Sequence, residues 1–380
     1  MKCLQICNDF LGSKVHENLY KSLNELGVSQ TIFYPLRKNK IDTLNKYHKD
    51  FNCEIITSRP LKKYHRVLFR AKINTLYKSL ISQISENDFD VLHATTLFSD
   101  GAVALKYKRE FNTPFILAIR STDIDSFLKY RRDLIFLGLE ILNESSKIIF
   151  ISKVLKNKFL NHPLIKKHKS KFEHKCVIIS NGIDPYWLNN QKSTFTPANP
   201  NKIIYVGTLI KRKNVDKLIQ AVLDLNKKGI ECSLTIVGKG GALQKKVENL
   251  AEINRPKIQY LGAIKDKEKL QEVYNNHQIF ALPSRVETFG LVYLEAMSQG
   301  LPILYTWNEG IDGLFDFKIG EKCENFDINT ISSKLETLIN NHSNYEISSI
   351  NFSDFSWNTI GKKYIKIYQN IVEKTSKLKG

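Results

Sequence analysis

The sequence lacks any apolar run long enough to cross a lipid bilayer. A spanning helix needs ~20 consecutive, mostly apolar residues, and none of the 380 residues lies in a run that approaches this length. The chain also becomes polar at Asn8 and Asp9, too early for the apolar core of a signal peptide, so its start predicts a first strand. These absences predict a cytoplasmic protein.

The cysteines lack the spacing of a metal site or a disulfide framework. There are six, without a Cys-x-x-Cys pair and without a histidine at ligand spacing: Cys3, Cys7, Cys53, Cys176, Cys232 and Cys323. This scatter argues against structural zinc and against a secreted, disulfide-stapled domain. No repeat of 20–50 residues is evident either, so the sequence does not predict a repeat protein.

Acidic residues are few relative to basic ones. The chain has 57 Lys and Arg against 38 Asp and Glu, a formal net charge of +19. Residues 37–80 hold twelve basic and three acidic side chains, and residues 153–175 hold eight lysines and one glutamate. Such segments are typical of contacts with nucleic acid or with an anionic membrane surface.

One of these basic segments has the pattern of an interfacial helix. Over residues 60–73, helical spacing places Leu61, Tyr64, Leu68 and Ala71 on one face, with basic side chains opposite. A few basic residues at about 1 kcal/mol each would hold a protein reversibly at anionic lipid. The alternative is an ordinary surface helix. We expect no nucleic-acid partner, because the basic segments lack interleaved aromatic residues and no recognition motif is present.

Length and periodicity predict two α/β domains. A chain of 380 residues with 42% apolar and 25% charged residues is that of a soluble globular protein with two domains of roughly 180 residues. Both halves alternate short apolar strands, among them 29–34, 91–94 and 202–206, with helical stretches, which is the pattern of parallel sheets covered by helices. The polar segment 189–201, which contains Pro197 and Pro200, is the predicted linker.

The segment 278–302 carries the strongest functional signal. An apolar strand is predicted to end at Leu282, and an amphipathic helix to begin near Gly290. The unpaired amides and the dipole of a helix start favour an anion such as phosphate. Glu287 lies in the loop beside that anion site, and Glu295 lies within the helix. This arrangement suits a nucleotide-sugar, with one carboxylate for sugar hydroxyls and the other for ribose hydroxyls.

The run from Glu287-Thr-Phe-Gly290 through Glu295 to Gly300-Leu-Pro302 resembles the signature of family 4 glycosyltransferases, which retain anomeric configuration. The resemblance implies a GT-B architecture: two Rossmann-like domains facing a central cleft, with a C-terminal helix that crosses back to the first domain. It implies domains at 1–188 and 201–354 and the final helix at 355–380. It also places the donor beside Thr288, Phe289, Gly290 and Leu291.

Further donor-site residues are implied by the same resemblance. The loop Gly207-Thr-Leu-Ile-Lys-Arg-Lys-Asn214 follows a predicted strand and puts basic side chains before a helix. Lys213 matches the family lysine, whereas Thr208 replaces the family arginine, a loss for which Arg212 could compensate. Gly238, in Val237-Gly-Lys-Gly-Gly241, and Ile264, in Gly262-Ala-Ile264, resemble the loops that line the nucleotide pocket.

In the first half the match is partial. Gly12 stands where the family has a glycine-rich loop, and Arg120 stands where it commonly has a histidine that contacts the donor sugar. Arg120 could pair with a sugar hydroxyl, a phosphate or Asp123. His16 is expected on a helix surface. Asp123-Ile-Asp125 spells a possible metal motif, but without further ligands we expect no metal and no cofactor.

The combined interpretation is a retaining hexosyltransferase. It would move a sugar from a UDP- or GDP-sugar to a glycan or lipid-linked acceptor in surface polysaccharide or glycoconjugate synthesis, in the cytoplasm or peripherally on the inner face of the membrane. Lys213 and Glu287 are the expected catalytic residues, together with Arg120. The alternatives are a glycosidase that uses Glu287 and Glu295 as its two carboxylates, and a basic binding protein without catalysis.

Overall fold

A computed structural model describes residues 1–12, 14–37, 53–85, 88–192 and 201–377. The chain divides into two compact units. The first comprises Met1–Ile151, Leu155–Gly182 and Trp357–Gly380, and the second comprises Ser152–Val154 and Ile183–Ser356. Most of the predicted linker, residues 193–200, and a large part of the first basic segment, residues 38–52, lie outside the described residues.

The first unit contains one parallel sheet with helices in the connections. Its strands are β1 Lys2–Ile6, β2 Ser29–Tyr34, β3 Glu54–Thr57, β4 Val91–Ala94, β5 Phe115–Ala118, β6 Lys147–Phe150 and β7 Cys176–Ile178. The helices between them are α1 Lys14–Glu25, α2 Phe69–Ile81, α3 Ser99–Phe111, α4 Ile135–Glu144, α5 Lys153–Leu160 and α6 Pro163–Lys166. The strand order is β3-β2-β1-β4-β5-β6-β7.

The second unit repeats this architecture. After α7 Pro185–Asn189 come β8 Lys202–Val206, α8 Val215–Lys227, β9 Ser233–Val237, α9 Gln244–Ile253, β10 Ile258–Gly262, α10 Lys267–Asn275, β11 Ile279–Ala281, α11 Leu291–Ser298, β12 Ile303–Thr306, β13 Gly320–Cys323 and α12 Ile328–Asn340. The strands are parallel, in the order β10-β9-β8-β11-β12-β13. The sequence patterns did not predict β3, β13 or α12.

The central strands are buried along most of their length because helices cover both faces of each sheet. Every residue of β4, β5 and β11 is buried, which is the pattern of parallel strands rather than of a half-solvated sheet. The helices bury one face each, as in α8, where Leu218, Ile219 and Val222 are buried. Two parallel α/β sheets were predicted, and this prediction is confirmed.

The final helix, α13 Trp357–Lys377, packs into the core of the first unit. Tyr364, Tyr368 and Ile371 join a cluster that includes residues of β1, β2 and α1. A Cβ on Gly361 would lie 2.7 Å from the Ser22 hydroxyl oxygen, so the absence of a side chain lets α13 approach α1 closely. The predicted C-terminal helix is thus present. No helix in the described ranges combines the length and hydropathy needed to span a membrane.

Candidate functional site

The second sheet reverses its strand order between β8 and β11. From β8 the chain proceeds outward to β9 and β10, and from β11 it proceeds to β12 and β13 on the other side. The loops that follow β8 and β11 therefore leave the carboxyl edge in divergent directions and open a crevice, the place where parallel α/β sheets bind ligands. These two loops, residues 207–214 and 282–290, hold most of the predicted donor-site residues.

The two loops are joined by an ion pair. The Lys213 ammonium contacts the Glu287 carboxylate, and their side chains are only 11% and 14% exposed. Arg212 donates through Nη1 to the Val286 carbonyl at 2.7 Å, and the Arg285 amide donates to the Arg212 carbonyl at 2.7 Å. The structure thus brings Lys213, Arg212 and Glu287 together across the crevice, whereas Thr208 lies exposed on the loop.

Asn214 also connects the two loops through its side chain, a role that was not predicted from the sequence. It is buried, adopts a left-handed conformation with φ of 52°, and starts α8. Its side-chain amide donates to the Pro283 carbonyl at 2.8 Å, and its oxygen accepts from Arg285 Nε at 3.3 Å. The signal was available, because asparagine tolerates this conformation better than other residues with a side chain.

Glu287 is fixed from its backbone side by the loop after β12. Its amide donates to the Glu309 carboxylate at 3.0 Å, and its carbonyl accepts from the Gly310 amide at 2.8 Å. A Cβ on Gly310 would lie 3.0 Å from Glu287 Cγ. Glu309 and Gly310 were also missed, although they follow a strand end on the same edge of the sheet, which was the available signal.

Gly290 forms the entry to α11. Its φ of +76° is in the left-handed region, and a Cβ there would meet the Tyr293 ring at 2.5 Å and Glu287 Cγ at 3.1 Å. Around it, Phe289 is buried while Thr288 and Leu291 are half-buried. The helix start lies directly beside the Glu287 side chain, as predicted from the Gly-containing loop, and its first amides have no partner earlier in the helix.

Glu295 lies one turn further along α11, on a half-buried position. Burial, and next the nearby Asp184 carboxylate, raise the pKa of its carboxyl to about 7, whereas Lys267 opposes the shift. Asp184 and Lys267 form an ion pair at 2.6 Å. A carboxyl that changes protonation near neutral pH can both accept and donate hydrogen bonds, which suits sugar or ribose hydroxyls.

Glycines close the ends of β8, β9 and β10. A Cβ on Gly238 would lie 1.8 Å from the Gly207 carbonyl oxygen, so the two loops touch through bare backbone. The Gly207 amide donates to the Val237 carbonyl at 3.0 Å, and the Gly238 amide donates to the Gly262 carbonyl at 2.8 Å. Ile264 follows, half-buried. These glycines keep the strand-end surface flat, so that a planar group could lie against it.

The candidate residues of the first half lie in the first unit. Gly12 is exposed at the end of a 3-10 turn, and its amide donates to the Asp9 carbonyl at 2.9 Å. Arg120 donates through Nε to the Thr95 carbonyl at 3.3 Å. The Asp123 carboxylate accepts the backbone amides of Arg120 and Leu97, at 2.9 and 3.2 Å. It is fully buried, and burial raises its pKa to about 7.

The Asp123 carboxylate is therefore engaged in hydrogen bonds to the backbone. Asp125, two residues further on, is exposed. Within the described ranges, no group of three or more His, Cys, Asp and Glu side chains is arranged to hold a metal ion.

Two expectations for the first unit were wrong. His16 is buried, not on the helix surface, because it lies on the same face of α1 as Leu19, Tyr20 and Leu23. Burial, and next the positive charge of Arg120, hold the pKa of His16 well below its usual value.

The second error concerns the single helix predicted over 60–73. Leu61 forms a β-bridge with Arg37, a 3-10 turn covers Lys63–Arg66, and α2 begins only at Phe69. The physical reason is local, since the His65 ring accepts the Lys62 amide at 3.0 Å and closes a separate turn.

Comparison with known families divides the chain into two matched parts. Residues 188–351 match the family described as glycosyl transferases group 1. Residues 13–187 match the family described as glycosyltransferase family 4. Together the two matches extend over most of the chain.

Several relatives are similar over nearly their full length. A glycosyltransferase of Methanocaldococcus jannaschii is 25% identical over 93% of both chains. The capsular polysaccharide biosynthesis glycosyltransferase CapM of Staphylococcus aureus is 25% identical, over 83% of this chain and 87% of its own. An alpha-monoglucosyldiacylglycerol synthase of Acholeplasma laidlawii is 22% identical, over 95% and 93%.

Among solved structures, the sucrose-phosphate synthase of Thermosynechococcus elongatus superposes with a TM-score of 0.71 at 17% identity. The superposition covers 98% of this chain and 100% of the synthase. At this identity the similarity concerns the fold alone.

Proposed function

The chain belongs to family 4 of the glycosyltransferases and has the GT-B fold, and on that premise we propose that it transfers a hexose from a UDP- or GDP-sugar with retention of anomeric configuration. The observation that carries this proposal is the Lys213–Glu287 pair. It stands where the strand order of the second sheet reverses, beside the start of α11. The cation and the helix start suit the negative charge of the two phosphates of a sugar diphosphate. The carboxylate suits the hydroxyls of its sugar.

In the proposed complex the diphosphate lies against the start of α11. The amides from Phe289 to Leu291 and the ammonium of Lys213 face the negative charge that grows on the leaving group as the glycosidic bond breaks. Such charge-assisted contacts contribute roughly 1.5–3 kcal/mol each. Lys213 would exchange part of its contact with Glu287 for the phosphate, which leaves the Glu287 carboxylate available to the sugar hydroxyls.

Glu295 would accept or donate at the ribose hydroxyls, one helical turn from the diphosphate. Gly207 and Gly238 would allow the nucleotide to approach the backbone at the ends of β8 and β9. No side-chain base is needed if a donor phosphate oxygen takes the acceptor proton on the same face of the sugar. Arg120 cannot serve as that base, because a guanidinium has no acceptor and stays protonated.

The acceptor would be a glycan or a lipid-linked saccharide in surface polysaccharide or glycoconjugate synthesis. Support comes from the names of two relatives, one in capsular polysaccharide biosynthesis and one named for the synthesis of a glycolipid. We further propose that the protein works in the cytoplasm, peripherally on the inner face of the membrane. The net charge of +19 would favour an anionic bilayer.

A thermal-shift screen over nucleotide-sugars tests the donor. Ligand at 100 times its Kd should stabilise the protein by about 2.7 kcal/mol. The donor found in this way is then used in a transfer assay with Glu287→Ala. We expect Glu287→Ala to abolish transfer while the far-UV circular dichroism spectrum is unchanged, and Glu295→Ala mainly to weaken donor binding.

The matched control is Glu324→Ala, which removes an exposed carboxylate from the same unit and should leave turnover unchanged. Near wild-type turnover of Glu287→Ala would contradict the assignment of the site. A donor that stabilises the protein equally with and without Glu287 and Lys213 would place nucleotide binding elsewhere.

A further inference from the structure

The first unit contains a groove of about 770 Å³ whose charged lining is basic throughout. It lies between the 3-10 turn Lys63–Arg66, the start of α2 and the segment that ends at Arg131. Its basic lining residues are Arg37, Lys62, Lys63, His65, Arg66, Lys72 and Arg131. No acidic side chain of the described residues lines it, so the groove presents a concentrated positive potential to any ligand.

Among the described residues, most of this charge has no acidic partner. Arg131 pairs with Asp133, through contacts of 2.9 and 2.8 Å, and Lys72 donates to the Ser99 hydroxyl at 2.8 Å. For the four other Lys and Arg residues of the groove, the described part of the chain offers no carboxylate within ion-pair distance. Several like charges held together without counter-charge are costly, and the arrangement therefore indicates an anionic ligand.

Aromatic rings lie against one side of the groove. Phe127 stacks on Phe98 with ring centroids 4.8 Å apart and meets Phe69 edge-on at 6.1 Å. Phe69 also lies 5.8 Å below the ammonium of Lys72.

The rim of the groove is apolar and faces solvent. Tyr64, Val67 and Leu68 are 48%, 73% and 56% exposed, and they alternate with basic residues in the same short segment. Tyr130, next to the groove residue Arg131, is 71% exposed. A water-soluble anion would require the cations but not these side chains. Basic residues beside exposed apolar ones are the combination found where proteins lie at the boundary between headgroups and acyl chains.

We propose that this groove binds the phosphate headgroup of an anionic membrane lipid, while Tyr64, Val67 and Leu68 enter the bilayer beside it. The site rests on the proposed function in that it gives the membrane association a defined location. It does not depend on the interfacial helix expected from the sequence, because a 3-10 turn followed by two exposed apolar residues presents the same side chains. Basic residues near anionic lipid contribute additively.

Vesicle co-sedimentation of the full chain tests the proposal. The probe is a phosphatidylcholine vesicle with or without phosphatidylglycerol. The variant Lys62→Gln/Lys63→Gln/Arg66→Gln should bind phosphatidylglycerol vesicles ~100-fold more weakly than the wild type, from three basic side chains. A second variant, Val67→Ser/Leu68→Ser, should also weaken binding, and serine is favoured at the start of α2, where Leu68 now stands.

The control removes three lysines from the other basic segment, which is also exposed: Lys166→Gln/Lys167→Gln/Lys171→Gln. It has the same net charge as the groove variant. We expect it to retain most vesicle binding, and we expect sugar-nucleotide turnover with a water-soluble acceptor to be unchanged in all three variants. A wild type that binds phosphatidylglycerol vesicles through the groove but turns over no nucleotide-sugar would count against the proposed function rather than against the groove.

Three outcomes would overturn the groove as a lipid site. The first is equal loss of binding in the groove variant and the lysine control, because binding would then follow net charge alone. The second is equal binding of wild type to vesicles with and without phosphatidylglycerol. The third is stabilisation by inorganic phosphate that depends on the groove residues while vesicles do not bind, which would identify a site for a soluble anion.

Discussion

The ion pair between Lys213 and Glu287 should be separable into a structural and a catalytic part by a double-mutant cycle. The cycle uses Lys213→Met, Glu287→Gln and the double variant. Each single change leaves one charge in a crevice where the partner was the main counter-charge. The double change removes both charges and retains similar shapes, so most of the lost stability should return.

The exposure of the two side chains sets the magnitude. Fully exposed pairs contribute about 0–1 kcal/mol, whereas the removal of one partner of a buried pair costs about 3–5 kcal/mol. With Lys213 and Glu287 11% and 14% exposed, we expect each single variant to lose about 2 kcal/mol. In a domain of this size that corresponds to a decrease in Tm of about 4–8 °C.

Calorimetry without nucleotide measures the stability of the four proteins, and the transfer assay measures their activity. Stability should return in the double variant, whereas transfer should be lost in all three. If the double variant is destabilised by the sum of the two single losses, the side chains do not interact in solution and the reasoning from the crevice fails. If the double variant regains transfer, the pair is structural and the proposed site is wrong.

Three further predictions concern single contacts. Glu295→Gln should reduce the pH dependence of stability. With a folded pKa of about 7 for Glu295, the wild type loses up to about 3 kcal/mol of unfolding free energy as pH rises from 4.5 to 7. Equal shifts of the urea midpoint between pH 5 and pH 8 in wild type and variant would contradict this. Gly238→Ala places a Cβ 1.8 Å from a carbonyl oxygen and should prevent stable folding, whereas Gly240→Ala, with φ of +76° but open space, should cost only about 1–2 kcal/mol in the same denaturation assay. Tyr368→Phe leaves the buried His93 ring without its 2.9 Å partner and should cost about 1–3 kcal/mol; a loss below a few tenths would show that the bond contributes little.

The sequence predicted best those elements whose signal is local. The strands expected at 29–34, 91–94 and 202–206 have those bounds in the structure, because each contains a short apolar stretch of the kind found in strands that are buried on both faces. The edge strand β13, Gly-Glu-Lys-Cys, has two charged residues in four and no such run. It is defined by its pairing with β12, which is a tertiary contact that periodicity does not reveal.

Helix α12 was not predicted although its signal is local. Asp327 accepts the Thr330 amide at 2.8 Å as an N-cap, and the helix buries one apolar face. His16 was misplaced although it shares helical spacing with Leu19 and Leu23. The prediction relied on the polar character of histidine, whereas the helical spacing correctly indicated the buried face of α1.

The sequence indicates candidate residues for the site but not the contacts between them. The motif indicated Glu287 and Lys213 separately, yet their 74-residue separation in sequence gives no sign that they pair. That contact follows from β8 and β11 lying side by side, which is a property of the strand order. Glu309 and Asn214 also reach the site because of the strand order, since they follow β12 and β8 at the same edge of the sheet.

The order of synthesis gives the position of α13 a consequence for folding in the cell. The helix completes the core of the first unit, yet nearly all of the second unit is translated between Gly182 and Trp357. At 5–20 residues per second, this interval lasts roughly 10–35 seconds. During that time the nascent first unit exposes an apolar face that only the last part of the chain can cover, so chaperones have a defined surface and a defined period in which to protect it.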